Sequence, residues 1–280
     1  MILDGKNCAS KWKDEIKNKV LELNNIYNEE ITLAICVVGD NEASKIYVRN
    51  KVKAASYVGI TAKVYKYESD ITEAYLLEEI EKLNKDASIH GIIVQLPVPK
   101  HMHEQRIIDT ISPLKDVDGF STLNKGMLFA GAEAILPATP YGIIKLLKSY
   151  NIEIAGKEAL VIGRSNIVGK PMAHLLLQEN ATVTVAHSKT KDLPLVSKRA
   201  DIVVVAIGRA KMITTEYIKP GAVVVDVGMN RDSSGLCGDV DFENVSNIAS
   251  YITPVPGGVG PLTIAGLLEN TVKTYILQKK

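Results

Sequence analysis

The chain has 280 residues, which is long enough for two domains of ordinary size with buried cores. Its 33 lysines and arginines nearly balance its 32 aspartates and glutamates, which argues against a global charge field that holds nucleic acid or an anionic membrane. The first residues, MILDGKNCASKWKDEI, place charges where a signal peptide needs an apolar core, and no later apolar run approaches the roughly 18 residues of a membrane span. We therefore expect a cytoplasmic protein.

The cysteines and histidines follow neither a disulfide pattern nor a metal-site pattern. Cys8, Cys36 and Cys237 lie far apart and form no CxxC pair, so we expect reduced, structural thiols. His101 and His103 are close together, but they lack further ligands at metal-site spacing and are interpreted as loop residues. No metal site is predicted.

Strands and helices alternate along the first part of the chain, which is typical of a parallel sheet covered by helices. The segment from Pro97 to Pro140 is rich in Pro, Gly and Asp, and this composition predicts that it is mostly loop. The predicted strands cover residues 31–39, 61–68 and 90–97, and the predicted helices cover residues 44–55 and 71–85.

A second alternating block follows Pro140. Short Val- and Ile-rich runs bounded by glycines predict further parallel strands, and the chain finishes with a Gly/Pro loop and a helix. These runs are EALVIG, TVTVAH, ADIVVVAIG and AVVVDVG, and the helical stretches before and between them are GIIKLLKSY and PMAHLLLQ. The sequence therefore predicts two α/β domains with parallel sheets, and a cleft between them in which a small ligand binds.

The helix over 44–55 carries a lysine on its apolar face. At 100° per residue, Lys51 shares a stripe with Tyr47 and Val48, whereas Lys53 lies on the other side. A lysine in such a stripe is either a stem that extends its amine to water or an amine placed there for chemistry. Position alone leaves both interpretations open.

The stretch ALVIGRSNIVGKPM, residues 159–172, suits a dinucleotide-binding turn. It combines glycines with a helix N-terminus, but its spacing is GxSxxxG rather than GxGxxG, so an ordinary strand-to-helix turn remains an alternative. The next strand ends in HSKTK, residues 187–191, without a carboxylate for a ribose 2′-hydroxyl. Arg164 and Ser188 suit a 2′-phosphate instead, and the pattern favours NADP over NAD.

Two further polar residues stand where a site is expected. Gln95 ends the buried run IIVQ at the carboxyl tip of a predicted strand, the edge at which open parallel sheets present their sites. Asp118, in KDVDGF, precedes a glycine, as turn aspartates commonly do. An amide that satisfies a loop and a carboxylate that stabilises a turn remain the structural alternatives.

Six motifs, in order and spread over nearly the whole chain, resemble the bifunctional methylenetetrahydrofolate dehydrogenase/cyclohydrolase family. They are SKIYVRNKVKA, HGIIVQLP, KDVDGF, GRSNIVGKP, DVGMN and YITPVPGGVGP. The resemblance implies a folate-binding catalytic domain of residues 1–137 and 262–280, a Rossmann-like NADP-binding domain of residues 138–261, and a homodimer joined through the nucleotide domains. It also implies oxidation of 5,10-methylenetetrahydrofolate by NADP and hydrolysis of the methenyl product to 10-formyltetrahydrofolate.

The resemblance also implies roles for individual residues. Lys51 matches the catalytic lysine, Tyr47 the ring that stacks on the aminobenzoyl group, Gln95 the amide beside the lysine, and Asp118 the carboxylate that holds the pterin. The predicted substrate-binding residues are Tyr47, Lys51, Gln95, Asp118, Pro256, Gly257, Gly258 and Thr263. The predicted cofactor-binding residues are Gly163, Arg164, Ser165, Val168, Gly169, His187, Ser188, Thr190, Gly208 and Gly228.

The two implied reactions make different demands on Lys51. Hydride transfer mainly requires that two rings be positioned, because the folate nitrogens stabilise the resulting cation. Hydrolysis requires proton transfer, and an amine partly desolvated by its apolar neighbours should have a pKa lowered toward the working range of a base. The implied chemistry therefore favours the second interpretation of the buried lysine.

Two positions depart from the family pattern. Ala138 stands where the family often has the cysteine of PCTP, so no thiol chemistry is assigned there. Leu262 replaces a common methionine, and we expect this replacement to be neutral.

Two other functions remain open: a monofunctional dehydrogenase with weak or no cyclohydrolase activity, and a non-catalytic nucleotide-sensing module. The intact set of site residues in the first domain argues against both.

Overall fold

The computed structural model describes residues 1–233 and 235–280, apart from the side chain of residue 43. The chain forms two compact units, each built around a parallel sheet, and the predicted α/β class is confirmed. The three-stranded unit comprises Lys11–Ala138 and Ile264–Lys280, and the five-stranded unit comprises Met1–Ser10 and Thr139–Thr263.

The elements are numbered in chain order, separately for helices and strands. The helices are α1 (Gly5–Tyr27), α2 (Glu42–Val58), α3 (Glu73–Lys85), α4 (Glu104–Thr110), α5 (Thr122–Phe129), α6 (Ala138–Ser149), α7 (Gly169–Gln178), α8 (Leu193–Ser197), α9 (Phe242–Val245) and α10 (Val259–Gln278). The strands are β1 (Thr32–Val38), β2 (Thr61–Tyr67), β3 (Gly91–Val94), β4 (Glu158–Ile162), β5 (Thr182–Ala186), β6 (Ile202–Val205), β7 (Val223–Asp226), β8 (Asn230–Asp232), β9 (Gly235–Cys237) and β10 (Tyr251–Ile252). A 3₁₀ turn spans Thr215–Tyr217.

The sheet of the three-stranded unit has the order β2-β1-β3, with every pair parallel. Its central strand β1 is buried along its whole length, as a strand covered on both faces must be. Asp116 forms a parallel bridge with Ile92, so the chain after α4 runs beside β3 and ends at the same edge of the sheet. One face of the sheet packs in a buried cluster with α3, through Ala34, Cys36, Val38, Leu76, Ile80 and Leu83.

Helix α1 was not predicted from the sequence, although its pattern is helical. Its buried residues recur at intervals of three and four, which places them on one face. They are Gly5, Ala9, Trp12, Ile16, Val20 and Leu23. The surrounding lysines give the helix a low mean hydropathy, which hides this narrow apolar face.

The sheet of the five-stranded unit has the order β10-β7-β6-β4-β5, and all its pairs are parallel. This is a doubly wound order, because the chain passes from β4 to β5 on one side and then returns to β6 on the other. The change of direction lies between β4 and β6. In such sheets, ligands bind outside the carboxyl ends of the strands at this position.

The N-terminal residues pack in the five-stranded unit, whereas the sequence-based division placed them in the first domain. Ile2 bridges to Ile252 in parallel, and the Leu3 N–H donates to the Ile252 carbonyl at 2.8 Å. The chain terminus therefore extends the sheet beyond β10. The exact domain boundaries stay a prediction.

The Pro- and Gly-rich segment between Pro97 and Pro140 contains more regular structure than its composition predicted. Helices α4 and α5 both lie in it, and α5 begins where the Ser121 hydroxyl accepts the Asn124 N–H at 3.2 Å. The antiparallel pair of β8 and β9 was also not predicted.

Within the described residues, no helix combines the length and apolar composition needed to cross a membrane.

Candidate active site

Lys51 lies on the packed face of α2, as the helical pattern predicted. Ser44, Val48, Lys51, Ala55 and Val58 are buried, and their spacing of four, three, four and three residues forms one stripe. Only 9% of Lys51 is exposed, so its amine does not reach bulk water. Position alone left a water-reaching stem possible, and the burial removes that interpretation.

The amine of Lys51 has one clear partner. Its Nζ donates to Gln95 Oε1 at 2.9 Å, while the Gln95 Nε2 donates to the Leu96 carbonyl at 2.8 Å. The Gln95 N–H donates to the Cys36 carbonyl of β1 at 2.8 Å. Because both its amide and its backbone are held, Gln95 presents its oxygen to the lysine in a fixed orientation.

Lys51 and Asp118 have pKa values displaced in opposite directions. Burial lowers the pKa of Lys51, and the nearby Asp118 carboxylate partly opposes this shift. Burial raises the pKa of Asp118 to about 6, with the Lys51 charge opposing the rise and the Asp116 charge adding to it. The proton affinities of the amine and the carboxyl group are therefore closer than in water, which suits proton transfer.

The two aspartates of KDVDGF have different roles. The Asp116 carboxylate accepts the N–H groups of Gly119, Phe120 and Ser121 at 3.0, 3.3 and 2.8 Å, and it also accepts the side-chain amide of Asn124 at 2.9 Å. Among the residues that the structure describes, none donates a hydrogen bond to the Asp118 carboxylate. Asp116 is therefore the turn-stabilising residue, and Asp118 retains its acceptor capacity.

Buried side chains from elsewhere in the unit hold the loop that carries Asp118. The Lys115 Nζ donates to the Asp86 and Leu83 carbonyls at the end of α3, at 2.7 and 3.1 Å. Asn270 on α10 donates to the carbonyls of residues 117 and 136, both at 2.8 Å. Lys115 and Asn270 were not predicted from the sequence, because their partners lie far away along the chain. Asp116 was not predicted either, although its partners lie within eight residues of it.

Tyr47 stands one turn before Lys51 on α2. With 38% of its surface exposed, it offers an accessible aromatic ring at the margin of the buried stripe. The three-stranded unit thus brings together an amine, an amide and a carboxyl group, and it places a ring on the same helix as the amine. These are the four residues singled out from the sequence.

In the five-stranded unit, the loop after β4 leads into α7. The Ser165 Oγ accepts the N–H groups of Val168 and Gly169 at 3.1 and 3.2 Å, so this hydroxyl satisfies two N–H groups at the start of α7. Among the described residues, the backbone N–H groups of residues 164 to 167 have no acceptor in the chain. A run of unpaired N–H groups before a helix suits an anionic group such as a pyrophosphate.

The end of β5 supplies the neighbouring turn. The Thr190 Oγ1 accepts the His187 N–H at 2.9 Å, and the Thr190 N–H donates to the His187 carbonyl at 2.8 Å. This closed turn leaves Ser188 exposed, and Arg164 is exposed after β4, the strand that pairs with β5. Both side chains are accessible at the carboxyl ends of adjacent strands.

The glycines of this unit serve the packing of the chain more than the approach of a ligand. A Cβ on Gly163, whose φ is +134°, would lie 2.3 Å from the Ala206 carbonyl oxygen, and one on Gly169 would lie 2.4 Å from the Gly163 oxygen. A Cβ on Gly228 would meet the Asp239 carboxylate at 2.3 Å. Gly208, with a φ of +65°, borders open space instead.

The remaining predicted substrate residues belong to the five-stranded unit. The Gly257 carbonyl accepts the Lys6 N–H at 2.9 Å, and a Cβ on Gly258 would lie 2.5 Å from the Pro254 oxygen. Pro256, which precedes this pair, is exposed. Thr263 lies 2.9 Å from Thr139, hydroxyl to hydroxyl.

Two family models match the chain. Residues 3–118 match the tetrahydrofolate dehydrogenase/cyclohydrolase catalytic domain, and residues 137–279 match the NAD(P)-binding domain of the same family. Together they span nearly all of the sequence, including both groups of residues described above.

Individual relatives agree with the family models. The bifunctional protein FolD of Listeria innocua is 55% identical over 273 residues, which cover 97% of this chain and 96% of that protein. The crystal structure of the bifunctional FolD dehydrogenase/cyclohydrolase from Campylobacter jejuni is 51% identical, with a TM-score of 0.97 and 99% of each chain covered. The Trypanosoma brucei enzyme, solved with NADP and an inhibitor, is 36% identical, with a TM-score of 0.94 over 100% of this chain and 98% of that chain. The chain belongs to the tetrahydrofolate dehydrogenase/cyclohydrolase family.

Proposed function

We propose that this protein oxidises 5,10-methylenetetrahydrofolate to 5,10-methenyltetrahydrofolate with NADP⁺ and then hydrolyses the methenyl group to give 10-formyltetrahydrofolate. The buried amine of Lys51, hydrogen-bonded to Gln95 at 2.9 Å, is the observation that carries the proposal. A desolvated amine beside a fixed amide oxygen suits a proton-transfer step, which hydrolysis needs and hydride transfer does not.

In the oxidation, the chain's contribution is to position the folate. NADP⁺, when bound, accepts the hydride that leaves the methylene carbon. The exposed ring of Tyr47 stacks on the aminobenzoyl group, and the carboxyl group of Asp118 accepts hydrogen bonds from pterin N–H donors. Two contacts at separate points of the folate fix its orientation, which is the main requirement of this step.

In the hydrolysis, Lys51 moves the proton. Water attacks the methenyl carbon and loses a proton to the neutral amine, and the resulting ammonium returns a proton to the ring nitrogen when the carbon–nitrogen bond breaks. Burial favours the neutral amine because it lowers the pKa of Lys51. Gln95 accepts one N–H of the amine and so directs the nitrogen lone pair toward the attacking water.

The loops of the five-stranded unit suit NADP. The unpaired N–H groups of residues 164 to 167 would hold the pyrophosphate, and the Arg164 guanidinium and the Ser188 hydroxyl would hold the 2′-phosphate. Residues 187–191 contain no carboxylate to repel that phosphate. The Gly208 turn, which borders open space, leaves room for the cofactor beside β6.

Two assays on one preparation test the proposed function. Absorbance should report NADPH formation from methylenetetrahydrofolate and, separately, the loss of methenyltetrahydrofolate without any nucleotide. Dehydrogenation alone would indicate a monofunctional enzyme, and turnover of neither folate would leave a nucleotide-binding module.

We further propose a homodimer that forms through the edge of the five-stranded sheet. Strand β5 is an edge strand, and Val185 on it and Leu177 on α7 are both exposed. Sedimentation equilibrium should give twice the chain mass, and Val185→Asp should shift the protein toward monomer. A wild-type protein that sediments as a monomer at micromolar concentration would contradict this arrangement.

Replacing Lys51 by methionine should separate the two reactions. Methionine keeps an unbranched apolar stem but removes the amine, so cyclohydrolase activity should fall by about 10² to 10⁴. Dehydrogenase activity should fall less, because hydride transfer does not use the proton. Both rates would be measured on the same preparation, with a melting curve to show that the variant is folded.

Lys53→Met provides the matched control for this change. Lys53 is exposed on the opposite side of α2, so the same substitution there should leave both rates within about twofold. Hydrolysis at near wild-type rate in folded Lys51→Met would refute the assignment of Lys51.

Replacement by asparagine should affect different properties at the two aspartates of KDVDGF. Asp118→Asn should lower folate affinity and slow both reactions by up to about 10², because the folate is displaced. Asp116→Asn should instead lower the melting temperature, because at least one buried N–H loses its acceptor, at a cost of about 1–3 kcal/mol.

The pH dependence of stability provides an independent test of Asp118. Its pKa is about 6 when folded against a reference value of 3.8, so between these values the folded protein holds more protons at this residue than the unfolded chain. Its contribution to the free energy of unfolding therefore falls as pH rises through this window. The Asp118→Asn variant has no carboxyl group at this position and so does not lose this stability. The difference between its melting temperature and that of the wild type should therefore rise between pH 4 and pH 7. A constant difference would mean that the carboxyl group is not desolvated.

Cofactor preference should depend on Arg164. Arg164→Ala should raise the Michaelis constant for NADP⁺ about tenfold or more, and much more than that for NAD⁺, because only NADP⁺ carries the 2′-phosphate. Arg199→Ala is the matched control, since Arg199 pairs with Glu158 at the first residue of β4, at the other end of the strand. Equal effects of Arg164→Ala on both nucleotides would remove the basis for the 2′-phosphate assignment.

A further inference from the structure

A buried carboxylate organises the chain just after β6. Asp239 is fully buried, and its Oδ2 accepts the N–H groups of Ile207 and Gly208 at 2.7 and 3.0 Å. Its Oδ1 accepts the Arg209 N–H at 2.7 Å and the Asn230 side-chain amide at 2.8 Å. Three consecutive backbone N–H groups therefore converge on one carboxylate, which determines the path of the chain over residues 207 to 209.

A second buried aspartate holds the first one in place. The Asp226 carboxylate, at the end of β7, accepts the N–H groups of Gly228, Asp239 and Val240 at 2.8, 3.0 and 2.9 Å. The packing is tight, because a Cβ on Gly238 would lie 1.8 Å from the Asp226 carboxylate. Asp239 therefore has little freedom to move independently of the sheet.

The segment that Asp239 holds borders the position where the sheet changes direction. It follows β6, and β6 pairs with β4, whose loop carries the unpaired N–H groups of residues 164 to 167. The loops touch, since the Ala206 oxygen occupies the space that a Cβ on Gly163 would need. A shift of residues 207–209 would therefore change the shape of the crevice between the two strand ends.

We propose that Asp239 is a positioning residue for the dinucleotide, an inference that rests on the proposed function. Its carboxylate keeps the segment after β6 in the conformation that leaves room for the cofactor beside β4. The role requires four acceptor positions in a fully buried place, which an asparagine cannot supply, because its amide nitrogen would face N–H donors. Asp239 belongs to the five-stranded unit, whereas Lys51 and Gln95 belong to the three-stranded unit.

The two activities of one enzyme provide the test. Asp239→Asn should lower the dehydrogenase kcat/KM for NADP⁺ by about 10- to 100-fold, mainly through KM. The cyclohydrolase rate, measured without nucleotide on the same preparation, should stay within about twofold because that reaction uses no cofactor. Unchanged dehydrogenase kinetics would overturn the proposal, and so would an equal loss of both activities in a variant that a melting curve shows to be folded.

A milder pair of variants covers the case in which Asp239→Asn does not fold. Asn230 is only half-buried, and Asn230→Asp would place a second negative charge against Asp239 Oδ1, which weakens its hydrogen bond from the Arg209 N–H. At pH 8 this variant should lower the ratio of dehydrogenase to cyclohydrolase activity several-fold, whereas Asn230→Ala should leave it unchanged. Equal ratios in the two variants would overturn the proposal. A wild-type protein without dehydrogenase activity would instead refute the proposed function.

Discussion

The hydrogen bond between Lys51 and Gln95 is the interaction on which the candidate active site depends. A buried amine is costly unless a partner satisfies it, and the Gln95 oxygen at 2.9 Å is that partner. The amide can serve only because β3 ends at Val94 and the Gln95 N–H remains bonded to β1. The parallel sheet therefore determines where the amine can be buried and which group it meets.

Both units contain buried carboxylates that accept several backbone N–H groups. Asp116 in one unit, and Asp226 and Asp239 in the other, each accept several backbone N–H groups and hold chain segments that follow strands. Several hydrogen bonds to the ionised form offset part of the desolvation that a buried carboxylate suffers. Burial still raises the pKa of Asp226, which has such donors, to about 6, and it raises the pKa of Asp118 to the same value. Asp118 differs in that no described residue donates a hydrogen bond to its carboxylate. The contrast between satisfied and unsatisfied carboxylates separates structural residues from candidates for ligand binding.

Close packing of backbone against backbone shapes the loops that are proposed to hold the nucleotide. Gly163 and Gly228 leave no room for a Cβ, because an oxygen of another segment occupies that space. These glycines bring neighbouring strand ends together, and the loop after β4 then presents its unpaired N–H groups at the change of direction in the sheet. Gly163, which belongs to the weak GxSxxxG motif, thus serves first to bring the loops together.

The sequence by itself determined the α/β class, most of the strands, the apolar stripe of α2 and the four candidate site residues of the three-stranded unit. These features depend on local periodicity or on ordered motifs, and both are visible within short stretches of chain. The tertiary structure alone decided that Lys51 is buried rather than extended to water, and that Asp116 rather than Asp118 stabilises the turn. It also revealed Lys115, Asn270 and Asp239, whose side chains bond to backbone groups 29 to 153 residues away in the chain. Such contacts leave no periodic pattern, because they arise only when parallel strands bring distant segments to the same edge of a sheet.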